Sequence, residues 1–390
     1  MTDTIPATIA TAAPERADPP AAAPGRVLVP YPELAGFTAE VFARRGLPEG
    51  RARVAAEALC YGDLTGLSSH GLANLTRLYL PLLASGRADS GAEPEVLADR
   101  GAAVLLDAHR GLGLWVAREA MDLAVERAAA YGVGLVSVRD ATHFGCAGHH
   151  AAQAVRHGMI GMVAANCGRQ RIIRPPGGRP AMLGTNPFSV AAPAGGHPPF
   201  VLDMSTTVVP TGKVRQAARA GRSIPAGWLA DATGRPVTDP AELDRGGAYL
   251  QWLGGRPETG AYKGYGLSLM VEVLAALLPG AGFGPAAEAL AGDGRPAGRD
   301  DDIGFFVLAL APAVLRPAGE VSQDAAGLFG ALLDCPPVRP EAPVRYPGWP
   351  EAKHAERARR DGVPLTGALH AELAEVAAEL GLPAPDGRPA

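Results

Sequence analysis

The stretch from Trp115 to Asn166 most constrains the fold, because its hydrophobic period changes from that of a helix to that of a strand and back. WVAREAMDLAVERAAAYG sets Val116, Ala120, Leu123, Ala124 and Ala128 on one helical face, and Gly132 stands where a left-handed residue can end the helix. VGLVSV then reads as a buried strand, RDATHFG as a loop, CAGHHAAQAVRHG as a short helix and MIGMVAAN as a second buried strand. Apolar strands alternating with amphipathic helices require a sheet covered by helices. PFSVAAP and PFVLDM add two further strands. The expected class is α/β, with a central mixed β-sheet core at 131–314 and helical flanks, 28–130 and 315–390, packing together.

Residues 1–27 are rich in Ala and Pro, with neither a basic start nor an apolar run, and are expected to form a disordered tail rather than a signal peptide. A helix is expected from about Glu40 to Leu64, and charged amphipathic helix again after Pro350. GLSLMVEVLAALLPG is too short for a membrane span and contains Glu272, so it reads as a core helix. A formal net charge of -4 without a dense Lys/Arg cluster argues against nucleic acid or a membrane surface and favours a small-molecule substrate. Cys60, Cys146, Cys167 and Cys335 form no C-x-x-C pair, which fits a reducing cytoplasm.

Within YGDLTGLSSHGLANLTRLYL, the residues Ser68-Ser69-His70-Gly71 interrupt the helical pattern. This reads as a junction that exposes its side chains. No G-x-G-x-x-G follows a strand and opens a helix; RGLGLW has two glycines at that spacing but apolar residues around them. A Rossmann domain is therefore not expected. Two other places suit a phosphate. In GAYKGYGLSLM, Lys263 is placed just before a long helix, where a cation and unpaired N–H groups can converge. In FVLDMSTTVVPTGKV, a strand ends at Asp203 and delivers Ser205, Thr206 and Thr207, with Lys213 beyond.

Six blocks occur in order: GLSSHGLANL, ATHFGCAGHHAAQAVRHGMIGM, PPGGRPAMLGTNPFSVAAPA, FVLDMSTTVVPTGKV, IPAGWLADATGRPVTDP and AYKGYGLSLMVEVLAALLPGAGFG. Together, from about Val29 to Ala355, they resemble the malate/L-lactate dehydrogenase type-2 family of NAD(P)-dependent oxidoreductases. The resemblance implies a non-Rossmann nicotinamide-binding fold, NAD or NADP as cofactor, a homodimer with entwined subunits, and a 2-oxo acid or cyclic imine as the acceptor of hydride. It also places Ser69, His70 and His143 in the catalytic site, and Cys167, Asp203, Met204, Ser205, Lys263, Gly264, Gly348 and Trp349 against the cofactor. Histidine suits proton transfer near neutrality, and either His70 or His143 can be the donor.

The chain departs from that pattern at Asn74, where the family usually carries an arginine for the substrate carboxylate, and at Leu78, where tyrosine is common. Arg77, one turn from Asn74, is the expected substitute at the substrate, and Arg169, Arg171 and Arg174 crowd a second loop. Two other classes compete with a reductase: a metal-dependent hydrolase built on clustered histidines, and a binding protein of the same descent that has lost turnover. His149, His150 and His157 have no acidic partner at metalloprotease spacing, so no metal site is assigned.

Overall fold

The computed structural model describes residues 25–390, so most of the expected tail lies outside the described residues. The strand Arg26–Val29 takes in the last two residues assigned to that tail, Arg26 and Val27, and pairs antiparallel with Val363–Thr366 and with Arg388–Pro389. This small sheet fastens the two ends of the described chain together. Helix Tyr31–Arg44 packs on Glu49–Leu64 and on Gly367–Leu380, while Trp349–Asp361 also meets Glu49–Leu64.

The helix expected from Glu40 through Leu64 is two helices. Gly46 takes a left-handed φ of 96° and Pro48 caps the second helix, so the backbone breaks although the apolar pattern runs on. The C-terminal helix is likewise divided, because Gly362 at φ 102° releases the chain into the strand Val363–Thr366.

The main sheet has seven strands, in the order Glu95–Asp99, Ala103–Asp107, Val133–Ala141, Ile303–Leu310, Ile160–Ala165, Phe188–Ala194 and His197–Met204. Only Ala103–Asp107 and Val133–Ala141 pair in parallel, joined through helix Gly113–Tyr131; the other pairings are antiparallel. The sheet is mixed, as expected. Its first two strands come from the segment assigned to helix alone. They are five residues long and the outer one is almost wholly exposed, so they lack the apolar signal that marks a buried strand. Helix Gly113–Tyr131 ends at Gly132, φ 84°, as its sequence required.

Phe305 and Val307, on the strand Ile303–Leu310, are fully buried. A Cβ on Gly134 would overlap the Ala124 carbonyl oxygen, and one on Gly304 that of Ala275, so helices lie directly on the sheet. A second, smaller core gathers Val209, Val214, Leu229, Leu250 and Trp252 around the short strands Leu229–Ala230, Pro236–Val237 and Tyr249–Leu250. This lobe carries helix Thr211–Arg219 onto the turn Ser68–His70. No helix among the described residues is long and apolar enough to cross a membrane.

Candidate active site

After Leu64 the chain turns through Ser68–His70 as a single 3-10 turn, and Ser69 and His70 are half-buried rather than exposed. Four contacts hold the turn. The Asp63 carboxylate accepts the Leu72 amide at 2.6 Å, and Asn74 Nδ2 donates to the Ser69 carbonyl at 3.1 Å. From the smaller lobe, Gln216 Nε2 donates to Ser68 Oγ at 3.0 Å, while Gly212 is so close that a Cβ there would lie 3.1 Å from that of Ser69. Asp63 was missed in the sequence. An acid in a helix's last turn opposes the dipole, and that misfit was the available signal. Burial pushes its carboxyl up to about 7, against the opposing effect of the Leu72 N–H.

Ser69 Oγ lies 3.0 Å from His70 Nδ1. The His70 and His143 rings stack with centroids 5.9 Å apart and planes 14° apart. Beyond them, His143 Nδ1 meets the Tyr79 hydroxyl at 2.8 Å and accepts the Gly145 amide at 3.2 Å. Burial pushes His70 down to about 4, with His143 adding to the effect; burial also lowers His143, opposed by the charge of Asp300. The pair is therefore neutral at pH 7 before any anion arrives.

The glycines of RGLGLW serve this loop and not a pyrophosphate. A Cβ on Gly113 would overlap the Thr142 carbonyl oxygen and lie 2.8 Å from that of His143, and the Gly113 amide donates to Thr142 Oγ1 at 3.0 Å. The first residue of a helix is thus pressed against the backbone of the residue before His143.

The residues assigned to the cofactor fall on connected segments. Asp203, Met204 and Ser205 follow one another at the end of the strand His197–Met204, and Asp203 Oδ2 accepts the Gly148 amide at 2.7 Å. Ser205 Oγ donates to the Thr207 carbonyl at 3.2 Å and accepts from Thr207 Oγ1 at 3.0 Å. Leu253 joins this segment to Lys263, since its amide donates to Thr206 and its carbonyl accepts from Gly264. Gly264 is buried there, its would-be Cβ 2.5 Å from the Leu253 nitrogen. Cys167 Sγ faces Thr185 Oγ1 at 3.7 Å. Gly348, φ 94°, packs on Val201 of the strand that carries Asp203, with Trp349 beneath the Arg345 guanidinium at 4.0 Å.

Lys263 lies inside the helix Ala261–Glu272, in its first turn, not before it. Gly260, φ 107°, marks the boundary that the sequence reading gave to a later position. The amides of Ala261, Lys263 and Gly264 already donate to Arg256, Gly260 and Leu253, so the ammonium, and not those amides, is what remains for an anion. It is exposed and has no acidic partner among the described residues.

Arg77 forms an ion pair with Glu372 at 3.0 Å, so its charge is already balanced from the helix Gly367–Leu380. The three loop arginines diverge. Arg174 stacks on the Tyr249 ring at 3.5 Å, the Arg171 backbone bridges Ala297, and Arg169 reaches Asp302 at 3.5 Å. Arg169 borders a cleft of about 530 Å³ beside Thr142, where Arg87, Arg110 and Arg139 are matched by Asp107, Asp140, Asp301 and Asp302. That balance gives the cleft no net attraction for an anion. His149 and His150 are buried and edge-to-face at 5.0 Å, with His150 Nε2 on the Phe144 carbonyl, while His157 is exposed. Among the described residues the one grouping with metal-ligand spacing is Asp107, His109 and Asp140, which includes none of these three; Asp107 there pairs with Arg139 at 2.8 Å.

A family profile for malate/L-lactate dehydrogenase matches residues 29–374. The chain belongs to that family. Malate dehydrogenase of Pyrococcus abyssi is 40% identical over 255 residues, 65% of this chain and 69% of that protein. The Delta(1)-pyrroline-2-carboxylate/Delta(1)-piperideine-2-carboxylate reductase of Pseudomonas putida is 35% identical over 257 residues, 66% of this chain and 72% of that one. The crystal structure of malate dehydrogenase from Entamoeba histolytica superimposes with a TM-score of 0.85 at 27% identity, covering 92% of this chain and 99% of that chain. As a malate/L-lactate dehydrogenase family member, the protein is an NAD(P)-dependent oxidoreductase acting on a small molecule.

Proposed function

We propose that the protein reduces a 2-oxo acid or a cyclic imine bearing a 2-carboxylate, and in the reverse sense oxidises the 2-hydroxy acid. The supporting observation is the stacked His70–His143 pair, half enclosed and backed by the Ser69 hydroxyl. Two imidazoles and a hydroxyl offer both a proton and hydrogen bonds to an oxygen or nitrogen that gains charge as it is reduced. Bound beside them, a reduced nicotinamide supplies the hydride. The dinucleotide fits the exposed Lys263 ammonium and the buried Asn186 Oδ1, which has no partner in the polar group around Cys167. Steady-state turnover of a panel of 2-oxo acids and cyclic imines, with NADH and NADPH in parallel, tests the reading; no turnover with any combination would reject it.

In this reading Lys263 holds the dinucleotide. Lys263→Ala should weaken NADH or NADPH binding by about ten- to a hundredfold, the equivalent of one charge-assisted hydrogen bond of about 1.5–3 kcal/mol, and leave folding intact because the side chain is exposed. Fluorescence titration measures it, and affinities for NADH and NADPH both unchanged from the wild type would remove the lysine from the site.

Asn74 shapes the substrate end. Its amide braces the Ser69 carbonyl and carries no charge for a carboxylate, and Arg77 would have to leave Glu372 to replace it. The wild type should therefore prefer a bulky, amidated or imine substrate to pyruvate or oxaloacetate. Asn74→Arg should move kcat/KM toward the simple oxo acids by about ten- to a hundredfold, the yield of a bidentate contact. If the wild type already favours pyruvate or oxaloacetate, and Arg77→Ala leaves that preference unchanged, the carboxylate is held by another element.

The reading includes a homodimer. Tyr262, Leu269, Val273 and Leu277 are exposed at helical spacing along one face, an apolar stripe that a second copy would cover. A monomeric mass by light scattering at micromolar protein would contradict it.

A further inference from the structure

The two histidines differ in what their Nδ1 atoms can tolerate. His70 Nδ1 faces the Ser69 hydroxyl, which can donate to a bare nitrogen or accept from a protonated one. That ring can gain and lose a proton without losing its partner. His143 Nδ1 faces the Gly145 amide, which only donates, at 3.2 Å. A proton on that nitrogen would set two hydrogens against each other, so Nδ1 must keep its lone pair and the ring proton resides on Nε2.

Tyr79 adds a second donor to the same nitrogen at 2.8 Å. Its side chain is fully buried, edge-on to Phe42, and burial, then Cys146 and Asp300, push its phenol well above 10, so it keeps its proton. A π-helical turn over Leu75–Tyr79 carries it there. Such a turn shifts the side-chain register by one residue, which sets Tyr79, and not Leu78, against the histidine. The ionisable groups around His143 are His70, Tyr79, Asp300 and His150.

We propose that Tyr79 and the Gly145 amide hold His143 as a neutral imidazole protonated on Nε2, so that it donates a hydrogen bond to the substrate while the Ser69–His70 pair moves the proton. The inference rests on the dehydrogenase reading of the site. His70, neutral in the free site, takes up a proton from water as the anionic substrate binds beside it; as hydride reaches the carbonyl carbon or imine carbon, the C=O or C=N π bond breaks, its heteroatom takes that proton from His70, and the ring returns to its neutral state. His143 keeps its proton throughout and stabilises the charge on that atom. Tyr79 touches no reacting atom; it is a positioning residue.

Nitrogen-15 NMR of protein labelled at histidine, with His143 assigned through His143→Gln, reads the tautomer without any turnover. The wild type should show a bare Nδ1 and a protonated Nε2 on His143 throughout pH 5.5–8. Protonated Nδ1, or a cation titrating within that range, would overturn the proposal. Tyr79→Phe keeps the ring and should lower kcat about tenfold, the loss of one hydrogen bond, with cofactor affinity and the kinetic pH midpoint in place. A midpoint that moves in Tyr79→Phe would also overturn it, since the titrating proton would then belong to His143. Failure of every oxo acid and imine to turn over would reject the dehydrogenase reading, and the nitrogen shifts would still decide the state of His143.

Discussion

His70→Ala should lower turnover by about a hundredfold or more while NADH and NADPH bind as before, because a general acid–base group contributes about 10²–10⁴ and the residues proposed to hold the dinucleotide lie on other segments. The pH profile sharpens the expectation. Burial holds the free-enzyme His70 near 4, so the neutral, proton-accepting form is full at pH 7 and is lost only as pH falls through that value. In the direction of hydroxy-acid oxidation, kcat/KM should therefore stay level below neutrality and fall near pH 4. A fall centred near 6.5 would mean that the base is a solvated histidine. Near-normal turnover in His70→Ala on several substrates would defeat the mechanism.

Gly113→Ala should be nearly as damaging although Gly113 touches no substrate. Its new methyl would overlap the Thr142 carbonyl oxygen, and either the helix or the His143 loop must give way. Overpacking of this kind costs about 1–3 kcal/mol, visible as a lower Tm. A displacement of the His143 backbone by about 1 Å costs on the order of a hundredfold in turnover. Wild-type Tm with wild-type kcat would show that the contact relaxes without cost.

Much of this was legible in the sequence where the signal is local. The alternation of strand and helix from Trp115 to Asn166, the stop at Gly132 and the end of a strand at Asp203 all rest on periodicity or on one residue's backbone preference. The failures have the opposite character. Gly46 and Pro48 break a helix whose apolar stripe continues unbroken, so periodicity outvoted the two residues that decide the backbone. Lys263 was set before its helix because the glycines on either side of it read as flexible, yet Gly264 is helical and buried against Leu253, a contact made across the fold. Tyr79 escaped notice because a π-turn alters the register that any helical count assumes, and Asp63 because its partner is a backbone amide on the far side of a turn. Long-range contacts, not composition, placed these side chains.

The strand Ile303–Leu310 lies between Val133–Ala141 and Ile160–Ala165, and so enters the middle of the sheet from late in the chain. During synthesis its two neighbours leave the ribosome long before it does, and neither can complete its ladder on that side until it arrives. Pairings so distant in sequence are slow to form, and open strand edges invite association with other chains. The Asp300–Asp302 turn, which brings Asp300 toward His143 and pairs Asp300 and Asp301 with Arg87, arrives with the same strand. A nascent chain ending before Asp300 would therefore carry both histidines with the surroundings of His143 unfinished, so catalytic competence should appear only when the sheet closes.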